Sequence, residues 1–145
     1  MIKFITGKMA EQLALMFLRL KGYSLVEHNH ITGRGTGAGE IDLIVKKSHT
    51  LIFVEVKKRS SLSTAAYSIL PKQQTRIRRA AEAFLASHPA YQNFDIRFDA
   101  VLIEHNLKIL HIKKALQNSK KQNNNIANIS RYLNGRLTIY RIQCL

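Results

Sequence analysis

The sequence predicts an α/β fold in which a mixed β-sheet is flanked by helices. Apolar residues recur at helical spacing in two segments and alternate in the segments between and after them. The order of these segments is one helix, three strands, a second helix and two strands, which is typical of a mixed sheet with helices packed on it. A chain of 145 residues is long enough for one core but not for two of comfortable size.

The first helix is predicted to begin after Thr6, which can cap its N-terminus, and to run to about Lys21, where Gly22 provides a stop signal. A rotation of about 100° per residue turns one apolar set towards the core. This set consists of Met9, Leu13, Met16, Phe17 and Leu20. Glu11 lies at the border of that face, where a glutamate is usually solvated.

Three strands are predicted after the first helix, at residues 23–31, 39–47 and 50–58. The first of them contains His28 and His30, and their spacing predicts ordinary strand residues that share one face. A glycine-rich loop, residues 32–38, contains a G-x-G-x-x-A match. We do not interpret it as a dinucleotide site, because a strand follows it where that motif requires a helix.

The second helix is predicted over residues 72–88, with Pro71 in its first turn and Pro89 after its end. Its inward residues are Ile77, Ala81, Phe84 and Leu85. Strands are predicted at residues 96–104 and 107–113. One domain is therefore expected over residues 1–116.

Residues 117–145 are predicted to form a polar linker and a basic tail. Within the tail, Asn134-Gly135 stands between alternating residues, which indicates a β-hairpin. A lone hairpin is marginal in water. It must dock on the core, pair with another chain as in a homodimer, or stay mobile.

The charge of the chain indicates a polyanionic partner. Its 23 Lys and Arg residues against 9 Asp and Glu residues give a net charge of +14, and nucleic acid is the commonest partner of such a surface. Charge alone also fits acidic membranes, ribosome-like assemblies or simple solubility. The single cysteine, Cys144, fits a reducing cytosol, and we expect a cytoplasmic protein without a signal peptide or a membrane span.

The second and third strands carry charged residues inside apolar runs. If a tight loop at 48–49 pairs Lys47 with Thr50, the same register places Asp42 opposite Glu55. Glu40 then lies opposite Lys57, and all four charged residues share one face. The other face is expected to be the core, formed by Ile41, Leu43, Val45, Ile52, Val54 and Val56.

Two facing carboxylates on a half-buried sheet would raise one pKa strongly unless something positive lies between them. The candidates are a metal ion, a shared proton or a neighbouring cation such as Lys57, so an ordinary surface ion-pair ladder is the structural alternative. Hard cations such as Mg²⁺ take oxygen ligands, and Asp42, Glu55 and the carbonyl of Val56 could supply them. With an ammonium nearby, these are the parts of a phosphodiester-cleaving site.

Asp42 followed by Glu55-Val56-Lys57 resembles the PD-(D/E)XK nuclease signature, and the predicted order of elements is similar to its αβββαβ restriction-endonuclease-like core. More closely, the segments GEIDLI, FVEVKKR and RFDAV and the basic stretch 72–79 resemble the YraN-like uncharacterised bacterial family. That family is itself similar to Holliday-junction resolvases. The resemblance covers roughly residues 8 to 114.

The resemblance implies a Mg²⁺- or Mn²⁺-dependent endonuclease that acts on DNA, branched or damaged. It makes Asp42 and Glu55 metal ligands and Lys57 the catalytic lysine, and it adds Glu11 to the candidate ligands and catalytic residues. Asp99 matches a family position to which we assign a structural role with Arg97. Basic residues expected to contact phosphates are Lys58, Arg59, Lys72, Arg76, Arg78 and Arg79.

Two other interpretations stay open. The first is a non-catalytic nucleic-acid-binding module that retains a nuclease fold. The second is an RNA-binding or ribosome-associated factor. The basic face of the second helix also has an alternative interpretation, in which it is only a solvated stripe of charged residues.

Overall fold

The structure is a computed structural model, and it describes residues 5–32, 39–60 and 71–116 together with the backbone of residues 140–141. Most of the predicted glycine-rich loop lies outside the described residues. The predicted linker and hairpin also lie outside them, except for the two residues at 140–141.

The described part of the chain contains two α-helices, a short 3₁₀ helix at Pro89–Tyr91 and six strands, and the α-helices and first five strands have the predicted order. The α-helices and strands are α1 (Gly7–Leu20), β1 (Ser24–Ile31), β2 (Glu40–Lys47), β3 (Thr50–Arg59), α2 (Pro71–Ser87), β4 (Asp95–Glu104), β5 (Lys108–Ile112) and β6 (Tyr140–Arg141). The strands form one sheet in the order β1-β2-β3-β4-β5-β6. Only the β3–β4 pair of this described sheet is parallel. The sheet is therefore mixed, as predicted, and the α/β fold is consistent with a restriction-endonuclease-like core.

Both ends of α1 are fixed by the residues that the sequence indicated. The Thr6 hydroxyl accepts a hydrogen bond from the Met9 N–H at 3.1 Å. At the other end Gly22 has a φ of 84°, and its N–H donates to the Arg19 carbonyl while the next N–H donates to the Leu18 carbonyl. This pair of bonds is a Schellman motif, which needs a left-handed residue and so favours glycine.

The buried face of α1 differs from the prediction. It is formed by Ala10, Ala14, Phe17 and Leu18, whereas Met16 is 46% exposed and Leu20 is 82% exposed. The predicted inward orientation of Met16 and Leu20 is therefore wrong. The buried face is centred on Ala10 and Ala14 with Phe17 and Leu18 beside them, so the helix is rotated relative to the predicted orientation and Met16 and Leu20 lie towards solvent.

The sheet is buried on both faces, so the prediction of a core on one face only is wrong. Against α1 lie apolar residues of β2 and β3 that include Leu43, Val54 and Val56. Against Ala80, Ala81 and Phe84 of α2 lie apolar residues of the same two strands, namely Ile41, Ile44, Leu51 and Phe53. A strand with a parallel neighbour is usually covered on both sides, which explains the unbroken apolar run of β3.

The strands β1 and β2 exchange faces midway along their length. His28 lies 3.3 Å from Glu11 of α1, whereas the ring of His30 packs edge-on against Phe84 of α2. Asn29 between them has a φ of 52°, a left-handed conformation that asparagine tolerates well. The alternation breaks at this residue, so the predicted shared face of His28 and His30 is wrong.

The partner strand changes face at the same level. Leu43, paired with His28, belongs to the core under α1, and Ile41, paired with His30, belongs to the core under α2. The prediction that Ile41 and Leu43 share a face is wrong for this reason. Asp42 is the residue between them, at the point where the exchange occurs.

No helix in the described ranges has both the length and the apolar character needed to cross a membrane. The cytoplasmic location and the homodimer stay predictions.

Candidate functional site

The hairpin of β2 and β3 has the predicted register. Its pairs run from Lys47–Thr50 to Leu43–Val54. The ladder ends there, and the side chain of Asp42 takes over: its Oδ2 accepts the hydrogen bond of the Val56 N–H at 2.7 Å. The acidic residue thus replaces a backbone acceptor at the end of the ladder.

Glu40 does not face Lys57 as the continued register predicted. The β2–β3 ladder stops at Leu43, before it reaches Glu40, and the described pairing of Glu40 is on the other edge of β2, with Ile31 of β1. Lys57 forms an ion pair within its own strand, with its Nζ 2.5 Å from Oε1 of Glu55. The predicted pairing of Glu40 with Lys57 is therefore wrong.

Glu55 is a buried charged residue in the centre of the sheet, with 8% of its surface exposed. Burying an ionised carboxylate is costly unless it is paired. Lys57 supplies a positive charge at one oxygen, and the lysine itself is partly open to solvent. The apolar run of β3 tolerates these two charges because they pair with each other.

The carboxyl group of Asp42 has a strongly shifted pKa. Burial is the largest cause, followed by the negative charge of Glu55, and together they raise the pKa of Asp42 to about 7. The Val56 N–H and Lys57 oppose this shift, and Glu11 adds to it. Both other acids therefore act on Asp42, and the nearby positive charge leaves its carboxyl group only partly ionised at neutral pH.

The acidic pair fits a hard divalent cation. Asp42 uses Oδ2 and Glu55 uses Oε1 in the contacts above, and each group has a second oxygen. Carboxylate oxygens are the ligands that Mg²⁺ prefers, and it usually keeps several waters, so two acids and a carbonyl such as that of Val56 are an ordinary protein share. Within the described ranges, no group of three or more His, Cys, Asp or Glu side chains could hold a metal ion.

Glu11 lies close enough to raise the pKa of Asp42, but its carboxylate contacts another residue. Its Oε2 is 3.3 Å from Nε2 of His28. The charge of Glu11 on α1 therefore acts on Asp42, while its carboxylate lies against His28. The role of Glu11 as a metal ligand stays a prediction. Sequence reasoning missed His28 as a neighbour of Glu11, because the face of the sheet on which His28 lies depends on the left-handed Asn29.

Three of the predicted phosphate-contacting residues form an exposed stripe on α2. Lys72, Arg76 and Arg79 are exposed, and their spacing of four and three residues puts them on one side of the helix. A Cβ built at Gly39 would lie 3.3 Å from Cβ of Arg76. The stripe therefore passes the start of β2, three residues from Asp42.

The other three predicted phosphate-contacting residues contact the chain itself. Arg78 donates to the Leu116 carbonyl at 2.9 Å and lies over the ring of Phe98. Lys58 donates to the Ile5 carbonyl at 2.8 Å, and Arg59 donates to the carbonyl of Lys58. Their side chains help to hold the fold, and the α2 stripe is the better candidate surface for phosphate.

The pairing of Asp99 with Arg97 is confirmed, and the structure adds partners that sequence reasoning missed. Both oxygens of Asp99 accept bonds from Arg97 at 2.8 Å. His111 also donates to Asp99 at 2.8 Å, and the Lys114 N–H donates at 3.1 Å. Burial raises the pKa of Asp99, but the bonds from His111 and Arg97 outweigh it and hold the pKa below the ordinary value.

Comparison with known proteins gives the family. Residues 10–103 match the profile described as "Uncharacterised protein family UPF0102". A UPF0102 protein of Paramagnetospirillum magneticum is 48% identical over 97 residues, which are 67% of this chain and 75% of the relative. UPF0102 proteins of Bradyrhizobium diazoefficiens and Rhodopseudomonas palustris are 44% and 47% identical over 100 residues, 69% of this chain and 72% and 71% of theirs. These matches confirm the YraN-like resemblance: the chain belongs to the UPF0102 family.

Proposed function

We propose that the protein is a Mg²⁺- or Mn²⁺-dependent endonuclease that hydrolyses phosphodiester bonds of DNA, branched or damaged. The observation that carries the proposal is the buried acidic pair, in which Asp42 has a pKa of about 7 next to Glu55 and Lys57. Strongly shifted carboxyl groups of this kind cluster at functional sites. A purely structural pair would gain nothing from the repulsion.

Asp42 and Glu55 would hold the cation, with Glu11 and the Val56 carbonyl as further candidate ligands. When bound, the cation polarises a phosphoryl oxygen and lowers the pKa of a water molecule. Lys57 keeps its ammonium beside Glu55, where it can orient the attacking water or stabilise negative charge on the phosphate. The Val56 N–H holds the Asp42 carboxylate in a fixed orientation.

The α2 stripe would bind the DNA backbone. Phosphate contacts by Lys72, Arg76 and Arg79 carry no sequence information, and they predict affinity that falls steeply with salt. The close packing of Arg76 against Gly39 places the stripe beside the start of β2. The bound strand would thus run past the acidic pair.

The second candidate function is a non-catalytic nucleic-acid-binding module. It is favoured by the internal pairing of Glu55 with Lys57. Such a pair can compensate the charge of the acid without a metal. Cleavage assays separate the two candidates, and competition between DNA and RNA tests the RNA-binding alternative.

The purified full-length protein is expected to cleave branched or single-stranded DNA with Mg²⁺ or Mn²⁺ and to be inactive in EDTA. Replacing Lys57 by alanine is expected to lower the cleavage rate about 100- to 1,000-fold, the usual cost of losing a charge-stabilising group. Gel electrophoresis of labelled substrates measures both rates. Lys108, which lies on β5, two strands from β3, and pairs with Glu104, gives the control variant Lys108→Gln.

Cleavage that Lys57→Ala removes and Lys108→Gln preserves supports the endonuclease. Salt-sensitive binding without cutting on any substrate supports the module. Cleavage that persists at the wild-type rate in Lys57→Ala would point to a contaminating nuclease.

A further inference from the structure

A cluster of basic residues lies at the C-terminal end of α1, at the opposite end of that helix from Thr6. Lys47 donates to the Lys21 carbonyl at 2.7 Å, and its Nζ lies 5.1 Å from the centre of the Tyr23 ring. Arg97 donates to the Tyr23 hydroxyl at 3.0 Å. Lys113 is the fourth member: it is exposed two residues after His111, which contacts the Lys21 ammonium at 2.9 Å, and its charge lowers the pKa of Lys21. We name these four cations, Lys21, Lys47, Arg97 and Lys113, the α1-end cluster.

The α1-end cluster has too few acids for its charge. Among the described charged residues that act on Lys21, three are cations and one, Asp99, is a carboxylate. With Lys21 itself, four positive charges and one negative charge leave a net charge of +3. Asp99 is also fully buried, and its carboxylate bonds to Arg97 and His111. The carboxylate therefore lies in the interior and not at the surface of the cluster.

His111 connects the cluster to that buried carboxylate without adding charge. Its Nε2 donates to Asp99, and its Nδ1 accepts from Lys21 Nζ at 2.9 Å, an arrangement that requires a neutral ring. Burial lowers the pKa of His111, although Asp99 opposes this effect. The outward side of the cluster is formed by Lys47 and Lys113, both exposed.

We propose that the α1-end cluster is a second phosphate-binding surface, which takes the phosphodiester backbone of nucleic acid. Like charges held together repel unless an anion lies among them. Burial and then Lys113 lower the pKa of Lys21, and a bound phosphate would relieve both the repulsion and the shift. Lys47 and Lys21 can still donate to the phosphate, because the contact of Lys47 with the Lys21 carbonyl and that of Lys21 with His111 each use one donor of the ammonium.

The surface deepens the proposed function and rests on it for the identity of the ligand. Glu11, near the acidic pair, and Lys21 are ten residues apart on α1, which is about 15 Å along the helix at 1.5 Å per residue. That distance equals four to five base pairs at about 3.4 Å each. Together with the α2 stripe on the other face of the sheet, the cluster gives the protein two basic surfaces, as a substrate with two arms would require.

The test measures DNA affinity against salt in EDTA, so that it does not depend on cleavage. The variant Lys47→Gln/Lys113→Gln is compared with wild type and with Lys108→Gln, using fluorescence anisotropy of a branched oligonucleotide. Each lost phosphate contact reduces the slope of log affinity against log salt by about 0.9. We expect the slope to be smaller by about 1.8 in the double variant than in the wild type, and to be unchanged in Lys108→Gln.

The possible results distinguish the proposal of a second phosphate-binding surface from the proposal of an endonuclease. A slope unchanged in Lys47→Gln/Lys113→Gln but reduced in Arg76→Gln/Arg79→Gln overturns the second surface and leaves the α2 stripe in place. A reduced slope without metal-dependent cleavage supports the surface and rejects the endonuclease. Wild-type protein that binds no DNA overturns both.

A small phosphate is the other source of the same chemistry. Inorganic phosphate is compared with sodium chloride at equal ionic strength in a thermal-unfolding assay. Stabilisation by phosphate that Lys113→Gln removes, together with an unchanged DNA slope, would assign the cluster to a small phosphorylated ligand and overturn the proposal for nucleic acid.

Discussion

Asparagine in place of Asp42 is expected to reduce metal-dependent DNA cleavage about 100-fold or more and, in EDTA, to stabilise the protein above pH 7. Both effects come from the same carboxylate. The neutral amide is a poor ligand for a hard cation, but its oxygen can still accept the hydrogen bond of the Val56 N–H. The substitution also removes the repulsion from Glu55.

The pH dependence of this stabilisation follows from the pKa of Asp42. It is about 7 in the folded protein against 3.8 for the unfolded group, so the folded state holds the proton more tightly. The free energy of unfolding of the wild type therefore falls as pH rises from about 4 to about 7. Asparagine does not ionise, so we expect a gain of about 1 to 3 kcal/mol at pH 8 and little change at pH 4.

Urea unfolding at both pH values measures the difference. Asp42→Ala is the matched comparison, because it removes the charge and also the acceptor of the Val56 N–H, and should gain less. A variant Asp42→Asn that is less stable than wild type at pH 8 would contradict the assignment of a strained acidic pair.

Asp99→Asn is expected to destabilise the protein by about 3 to 5 kcal/mol. Removing one partner of a buried charge network leaves the others without compensation. Arg97 would lose its carboxylate, and the amide could not accept all the bonds that Asp99 accepts from Arg97, His111 and the Lys114 N–H. Chemical denaturation gives the free energy directly.

The exposed Asp95, on the same strand, provides the control for this change. Asp95→Asn should shift stability by no more than about 0.5 kcal/mol. A loss below about 1 kcal/mol in Asp99→Asn would mean that the network has another counter-charge.

Local patterns were sufficient to predict the elements and the hairpin. Alternation along β2 and β3 and a two-residue loop fixed the register from Lys47–Thr50 to Leu43–Val54. Thr6 and Gly22 marked the ends of α1, because caps depend on one or two residues. These features depend on neighbours in the chain, which a sequence displays.

Features that depend on tertiary contacts were not predictable. The exchange of faces at Asn29 depends on one backbone angle that no hydrophobic pattern encodes. The network of Asp99 includes a direct contact between residues 90 positions apart, Lys21 and His111. The rotation of α1 depends on its packing against the sheet, in which Ala10, Ala14, Phe17 and Leu18 are buried.

The exchange of faces also explains how the acidic pair is made. The strand β2 changes face at Asp42, so the ladder of β2 and β3 ends before this residue. The Asp42 carboxylate then accepts the hydrogen bond of the Val56 N–H. A regular sheet would have carried a backbone hydrogen bond at that position. The left-handed Asn29 and the shifted acid are thus parts of one local departure from regular pairing.

The most direct measurement is a calorimetric titration of Mn²⁺ into the metal-free protein at pH 7.5, with Asp42→Asn beside it. If the acidic pair is a cation site, the wild type binds one Mn²⁺ and releases protons, because a cation displaces the proton that a carboxyl of pKa about 7 partly retains. Asp42→Asn then shows no such binding. Equal Mn²⁺ binding by the two proteins, or none by the wild type, would contradict the account.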